Sequence, residues 1–286
     1  MWNPTVTIAI PFYNAEKYLE SAIQSVCNQS YSNLYIILLD DGSTDKSLII
    51  AKSFEIKDKR IRVYSDGQNK GLIYRLNQSV ELCNTEYYAR MDADDIMHPL
   101  RIEKQIDHIK NDSTIDVLGT SFYSLDSENN IRGCIEIPYI HDRNHLFILH
   151  PSVIAKTEWF RKNPYDSNYE RIEDKELWLR TVSKYKIRSL STPLMFYREF
   201  GVPTLKKYLK TQRNALKIYL SARKYNLSFL DSVKSISSIF IKSIVCISLY
   251  LLNQMDVLIS LRRRKEILYD KNIAIEDLKK ALSVNK

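Results

Sequence analysis

Four short apolar runs within the first 95 residues, each closed by a polar turn, constrain this chain more than any other feature. Residues 5–10 stop at Pro11, and residues 34–39 run into Asp40-Asp41-Gly42-Ser43-Thr44-Asp45. Residues 61–64 form a third run, and residues 86–89 lead into Arg90-Met91-Asp92-Ala93-Asp94-Asp95. The segments between them carry helical spacing. Residues 14–29 place Tyr18, Leu19, Ala22, Ile23 and Val26 on one face, a second segment carries Leu48, Ile49, Ile50 and Phe54, and residues 72–83 supply a third. Asn14 is expected to cap the first helix and Ser43 or Thr44 the second. Strands alternating with helices in this rhythm predict an α/β fold, a mainly parallel mixed sheet with helices on both faces. Ligands of such sheets bind beyond the carboxyl ends of the strands, where the first, second and fourth runs all deliver polar residues.

The pattern then loosens. Residues 117–125 and 131–137 read as a hairpin, residues 150–154 as a short strand, and residues 187–190 and 194–197 as closing strands. A helix carrying Leu177, Trp178 and Leu179 begins near Glu173-Asp174, with Trp178 expected in the core. A chain of 286 residues can hold one large α/β domain with an appendage. Charge marks where the appendage starts: after residue 200 there are 17 Lys and Arg against 6 Asp and Glu, before it 25 against 28. The expected division is therefore residues 1–200 and a helical extension over 201–286, the basic part suiting an anionic surface. Apolar and basic residues interleave at helical spacing from Leu205 to Arg223, and Arg262-Arg263-Arg264-Lys265 follow a more apolar stretch. Within that stretch Lys242 leaves only residues 243–252 uninterrupted, too short to span a bilayer, so an interfacial helix is expected. A helical subdomain packed on the sheet, or a dimer contact, would show the same pattern. Cys27, Cys83, Cys134 and Cys246 form no CxxC pair, and residues 1–4 show no leader pattern, so a cytoplasmic chain is expected, peripheral at the inner face of a plasma membrane.

Asp92, Asp94 and Asp95 crowd three carboxylates into four residues. Such charges repel unless a cation sits among them, and hard oxygen ligands suit Mg²⁺ or Mn²⁺ completed by substrate phosphate. A solvated acidic turn is the alternative for an Asp-x-Asp alone. Arg75 and Arg90 could neutralise phosphate, Arg90 equally well by bracing the acids. Tyr13 offers an aromatic face to a base or packs in the core, and His150 lines a pocket or serves structurally.

Taken together, Val6-Thr7-Ile8-Ala9-Ile10-Pro11-Phe12-Tyr13-Asn14, the Asp40 to Asp45 run, Asn69-Lys70-Gly71-Leu72, Leu76-Asn77, the Ala89 to Asp95 run, and Glu173-Asp174 with Leu177-Trp178-Leu179-Arg180 resemble the family 2 glycosyltransferases. The resemblance covers about residues 4–200 and implies the GT-A (Rossmann-like) fold. It implies a nucleotide-sugar donor held by Pro11, Tyr13, Asp41, Arg75 and Asp92, with Asp41 reading the imide of uracil. It implies Asp92 and Asp94 at the metal, Asp174 as the base of an inverting transfer, and Glu173 beside it on the acceptor side. One of Asp40 and Asp41 could do no more than cap a helix, and Glu173 and Asp174 could merely complement a helix N-terminus. Many relatives carry a His after the Tyr197-Arg198 position, where this chain reads Glu199-Phe200-Gly201. The implied acceptor is a glycan, free or lipid-linked, of a bacterial surface polysaccharide. A nucleotidyltransferase would need a Gly-rich basic loop after the first strand, which Pro11-Phe12-Tyr13-Asn14 does not supply. No nucleic acid partner is expected, because the bases lie in the extension, away from any aromatic sheet surface.

Overall fold

The structure, a computed structural model, describes residues 2–142, 146–199, 204–255, 257 and 267–283. Its centre is a nine-stranded mixed sheet in the order β3-β2-β1-β4-β8-β6-β9-β5, with β7 paired to β6. One half is parallel: β1 (Val6–Phe12) lies between β2 (Leu34–Asp40) and β4 (Tyr87–Arg90), and β3 (Ile61–Ser65) flanks β2. The connecting helices are α1 (Leu19–Cys27), α2 (Ser47–Lys57) and α3 (Leu72–Leu82). All of β1 is buried, with its two faces shared out by the strand's period of two. Val6, Ile8, Ile10 and Phe12 join the core of α1 with Ile102 and Ile106 of α4 (Arg101–Asn111), while Ala9 faces Ile73, Leu76 and Val80 of α3. Each such isoleucine contributes about 1.5–3 kcal/mol by leaving water.

The other half is mixed. The hairpin of β6 (Val117–Leu125) and β7 (Ile131–Ile135) forms as the sequence suggests, and β6 also pairs in parallel with β9 (Ile187–Arg198). The two closing strands are one strand of 12 residues that crosses Pro193 with a register shift. Residues 150–154 are not a strand: His150–Ser152 make a 3-10 turn, and β8 (Ile154–Lys156) begins after it to join β4 and β6. The two-residue β5 (Ile96–Met97) pairs with β9. Helices α5 (Thr157–Lys162) and α6 (Glu173–Thr181) cover the α3 face, and Trp178 is in that core at 1% exposure.

Neither expected N-cap forms. Helix α1 starts five residues beyond Asn14, and Asn14 takes a left-handed backbone (φ 48°) to join the next loop. Its Oδ1 accepts from Thr44 N at 2.8 Å, and its own N donates to Ser43 Oγ at 3.1 Å. At α2 neither Ser43 nor Thr44 is the cap; Asp45 Oδ1 accepts from Ser47 N at 2.9 Å. The side chains expected to start helices therefore stitch the β1 and β2 loops together.

The extension is helical: α7 (Leu205–Leu220), α8 (Phe229–Leu251) and α9 (Lys271–Leu282). Two basic side chains of α7 bond within the molecule, and a third bond reaches α7 from Arg171. Lys210 Nζ donates to Glu170 at 2.6 Å, Lys217 Nζ to Asn168 O at 3.1 Å, and Arg171 Nε to Thr211 Oγ1 at 3.1 Å. Helix α9 returns to the sheet, where Ala274, Leu278 and Ala281 pack with Ile96, Tyr123 and Phe196. Asn28 Nδ2 donates to Ala281 O at 2.9 Å and Ser283 O at 2.7 Å, and His98 Nε2 lies 3.1 Å from Asp277. Helix α8 keeps only Ser232, Ile239 and Cys246 buried, at a spacing of seven, and exposes Phe240, Ile241, Ile244 and Leu251. It runs 23 residues without a break, so by length and composition it is able to cross a membrane, contrary to the expectation from residues 243–252. The cluster Arg262-Arg263-Arg264-Lys265 lies outside the described residues.

Candidate active site

The strand ends converge as the α/β pattern requires, but the acids there have different jobs. Asp40 is consumed by its own turn, accepting from Ser43 N at 2.9 Å and Ser65 Oγ at 2.7 Å. Asp41, 5% exposed, holds the loop before α3: it accepts from Lys70 N (2.8 Å), Gly71 N (3.0 Å) and Arg75 Nε (2.9 Å). That approach needs Gly42, whose φ is +74° and whose Cβ would stand 2.7 Å from the Gln68 backbone. Arg75, expected at phosphate, is instead a brace. It is 2% exposed, and its remaining N–H groups go to both carboxylate oxygens of Asp66, to Gln78 and to Gln68 O. With every donor taken it acts as a brace in this structure, and removing it would leave the buried Asp41 carboxylate without its counter-charge, at about 3–5 kcal/mol.

At the end of β4, Asp92, Asp94 and Asp95 each bring one carboxylate oxygen, all within 4.8 Å of one another. Burial, and after it the charge of Asp92, pushes Asp94 up to about 6. Asp95, 1% exposed, is raised well above its ordinary value by burial and then by Asp94 and Asp92. Its Oδ1 accepts from Arg198 N at 2.8 Å, while its buried Oδ2 has no partner. Three converging carboxylates, with Asp94 and Asp95 raised despite the arginines beside them, and a buried Asp95 Oδ2 without a partner fit a hard divalent cation. Arg90 braces the acids: it is 2% exposed and donates to Asp92 Oδ1 at 2.7 Å.

The second acidic group opens α6. Glu173 is 8% exposed and is pushed up to about 7 by burial and then by Asp174. Burial also raises the half-buried Asp174, whose Oδ1 accepts from Lys175 N at 2.7 Å. His150 is buried and donates to or accepts from the Tyr165 hydroxyl at 2.8 Å; burial and then the Arg90 charge hold its pKa well below the ordinary value, so the ring is neutral.

Two cavities join these groups. One, about 440 Å³, is lined by Pro11, Tyr13, Tyr18, Leu72, Asp92 and Asp94, with Tyr13 half exposed rather than in the core. The next, about 230 Å³, is lined by Arg90, Asp92, His150, Arg171, Glu173 and Asp174. Asp92 and Leu72 line both, so the two cavities adjoin at the acidic loop, with the α6 pair in the second.

Residues 7–169 match the model of glycosyl transferase family 2. The chain belongs to that family. Among its relatives, this glycosyltransferase is 33% identical over 220 residues to an uncharacterized glycosyltransferase of Methanocaldococcus jannaschii, covering 73% of this chain and 74% of the other. It is 29% identical to the putative glycosyltransferase EpsE of Bacillus subtilis, covering 80% and 86% of the two chains. Its fold is shared with S. aureus TarS, solved in complex with UDP-GlcNAc (TM-score 0.65, 16% identity, 82% of this chain and 71% of that one). It is also shared with the mannosyltransferase PcManGT of Pyrobaculum calidifontis, solved with GDP-Man and Mn²⁺ (TM-score 0.59, 11% identity, 98% and 86%). The GT-A architecture expected from the motifs is therefore the one observed.

The sequence analysis missed three arginines of this glycosyltransferase. Arg198 lies against the acidic loop: Nε donates to Asp94 O at 2.8 Å, the other two nitrogens reach Asp126 O and Asn129 Oδ1 at 2.7 Å, and the guanidinium sits 4.3 Å over the Tyr18 ring. Arg101 is wholly buried beneath that loop, donating to Arg90 O at 3.0 Å and Val153 O at 3.2 Å, and burial lowers it to about 9. Arg171 holds a left-handed backbone (φ 73°) at the mouth of the Glu173 cavity. The one usable signal was position: Arg198 ends a strand and Arg171 precedes the acidic pair. Of the residues following Arg198, Glu199 accepts from Ser124 Oγ at 2.7 Å, and Phe200 and Gly201 lie outside the described residues.

Proposed function

We propose that this glycosyltransferase moves a sugar, with inversion, from a uridine-diphosphate sugar to a hydroxyl of a lipid-linked or cell-surface glycan, using Mn²⁺ or Mg²⁺. The carrying observation is the pair of adjoining cavities that share Asp92, acids of the strand-end loop lining one and the α6 pair lining the other. In this reading Pro11, Tyr13 and Asp92 hold the nucleotide, and Asp92 and Asp94 ligate the cation. When bound, the cation supplies positive charge to the departing diphosphate. Asp174 takes the proton of the acceptor hydroxyl as its oxygen forms a bond to the anomeric carbon; the bond from that carbon to the phosphate oxygen breaks, and the electron pair leaves with the diphosphate. A carboxyl raised by burial is suited to that step near neutral pH. The preference for uridine rests on Asp41, which retains lone-pair capacity on Oδ2 beside the donors it already accepts. Glu173 would meet acceptor hydroxyls. Its own value of about 7 supports a second reading in which Glu173 is the base and Asp174 keeps it in place.

The catalytic unit of this proposal is residues 1–200. The extension, residues 201–286, holds the protein at the inner, cytoplasmic face of an anionic membrane. The exposed Phe240, Ile241, Ile244 and Leu251 of α8 support an interfacial placement, because its opposite side packs along α7. Turnover of a small panel of UDP- and GDP-sugars, with and without EDTA, tests the donor and metal assignments together. Undiminished turnover in EDTA, or a GDP-sugar preferred over every UDP-sugar, overturns the corresponding part. Phe240→Asp with Ile244→Asp should release the protein from anionic vesicles, and a wild type that ignores such vesicles at low salt sinks the membrane assignment.

A further inference from the structure

A groove of about 470 Å³ lies between the start of α6 and helices α7 and α8. Ile172, Ala215 and Ile239 form its apolar part; Lys175, Lys234, Lys242, Thr211, Ser235 and Ser238 bring its polar atoms. Among the described residues, no ion pair joins any of these lysines to a carboxylate. Lys175 Nζ donates to the Tyr219 hydroxyl at 3.0 Å, and the positive potential registers on that phenol. Burial raises Tyr219, yet the charges of Lys175 and Lys242 with hydrogen bonds from Lys175 and Ser235 bring it below its ordinary value. Among the described residues no carboxylate lines the groove, and ammonium groups with hydroxyls are the donors that a phosphate selects.

Two further facts say which phosphate. Lys175 directly follows Asp174, and Ile172 directly precedes Glu173, so the groove and the acidic pair share the first turn of one helix. The same α8 that supplies Lys234 and Lys242 turns Phe240, Ile241 and Ile244 to the outside. A phosphate held here would have its lipid chain beside an apolar helix face and its sugar beside Asp174. Resting on the function proposed above, we infer that the groove of Lys175, Lys234 and Lys242 binds the phosphate or diphosphate that joins a lipid-linked acceptor to its glycan. The site is formed only where the extension meets the catalytic domain. It gives the extension a part in acceptor recognition beyond holding the protein on a surface.

The test uses the full chain, without donor, on neutral phosphatidylcholine vesicles carrying either a long-chain isoprenyl diphosphate or phosphatidylglycerol at matched surface charge. Wild type should prefer the diphosphate lipid, and inorganic pyrophosphate should displace it. Lys234→Gln with Lys242→Gln should weaken that binding about tenfold or more, as loss of two lysines near a phosphate implies. Lys206→Gln with Lys207→Gln removes equal charge from α7 outside the groove and should cost much less. Equal losses in the two double variants, or equal binding to both vesicle types, overturn the site in favour of a general attraction to anionic headgroups. Because no donor is present, failure of the donor assignment, seen as no UDP-sugar turnover, leaves this result to be judged by itself.

Discussion

The acidic loop after β4 and the acidic pair at the start of α6 are built from the same chemistry and differ in what surrounds it. Both are desolvated, and in both burial raises carboxyl pKa values, Asp94 to about 6 and Glu173 to about 7. In the loop, three oxygens converge within 4.8 Å, and Asp95 Oδ2 is buried without a partner. At α6 two carboxyls stand side by side, no third ligand among the described residues forms a cluster with them, and they open onto a cavity with Arg90 and Arg171 in its wall. Burial alone therefore does not separate a cation site from a proton acceptor. The count and convergence of oxygen atoms does, because a divalent ion needs several ligands at once and a proton needs one.

The largest effect that would sharpen this contrast is at Asp94. Asp94→Ala should abolish transfer and the Mn²⁺ dependence of UDP binding, measured by calorimetry, while circular dichroism remains that of the folded protein. Wild-type-like turnover in the variant would erase the distinction. At α6 the loss should be partial: Asp174→Asn is expected to lower kcat by about 10² with donor affinity nearly unchanged, and Glu173→Gln should cost less. If Asp174→Asn keeps kcat and loses donor affinity, Asp174 belongs with the loop acids.

A milder effect comes from pH. Glu173 has a folded pKa raised from 4.5 to about 7, so its contribution to stability is complete below about 4.5 and is lost as pH rises towards 7. Melting temperature should decline across that window, and Glu173→Gln should flatten the decline without any added metal. The rate of transfer should move the other way, falling as pH drops below about 7 and the pair takes up its proton. An unchanged melting profile in Glu173→Gln would place its carboxyl in solvent. The smallest effect is expected at Asp41, an acid that already has partners. Asp41→Asn keeps the shape but weakens the acceptance from Lys70 N, Gly71 N and Arg75, at about 1–3 kcal/mol of stability, with a few-fold weaker UDP binding. Undisturbed melting would mean that the loop before α3 does not depend on this carboxylate.

Much of the first half of the fold was legible in the residues because its signals are local. The runs at β1, β2, β3 and β4 are apolar and bounded by turn residues, and the helices between them carry their own period. The same locality exposed the acids: a strand that ends in Asp92, Asp94 and Asp95 declares them wherever it lies. The second half was less legible. A strand of two residues, β5, has too little sequence to show a period, and β9 crosses Pro193, which reads as a break until β6 is seen beside it. Asn14, Ser43 and Thr44 carry the composition of helix caps, and only the neighbouring loops turned them into ties between β1 and β2.

What the amino-acid sequence by itself determined is the set of elements and the positions of the acids, since propensity, period and turn chemistry act within a few residues. What only the tertiary structure decided is partnership. It assigned Arg75 to Asp41 and Asp66 rather than to phosphate, set Arg198 over the acidic loop, brought α9 back onto Ile96 and Phe196, and gathered Lys175 with Lys234 and Lys242. These contacts join residues far apart in the chain. Their energies come from desolvating charges against particular neighbours, and a one-dimensional pattern does not record which neighbours those will be.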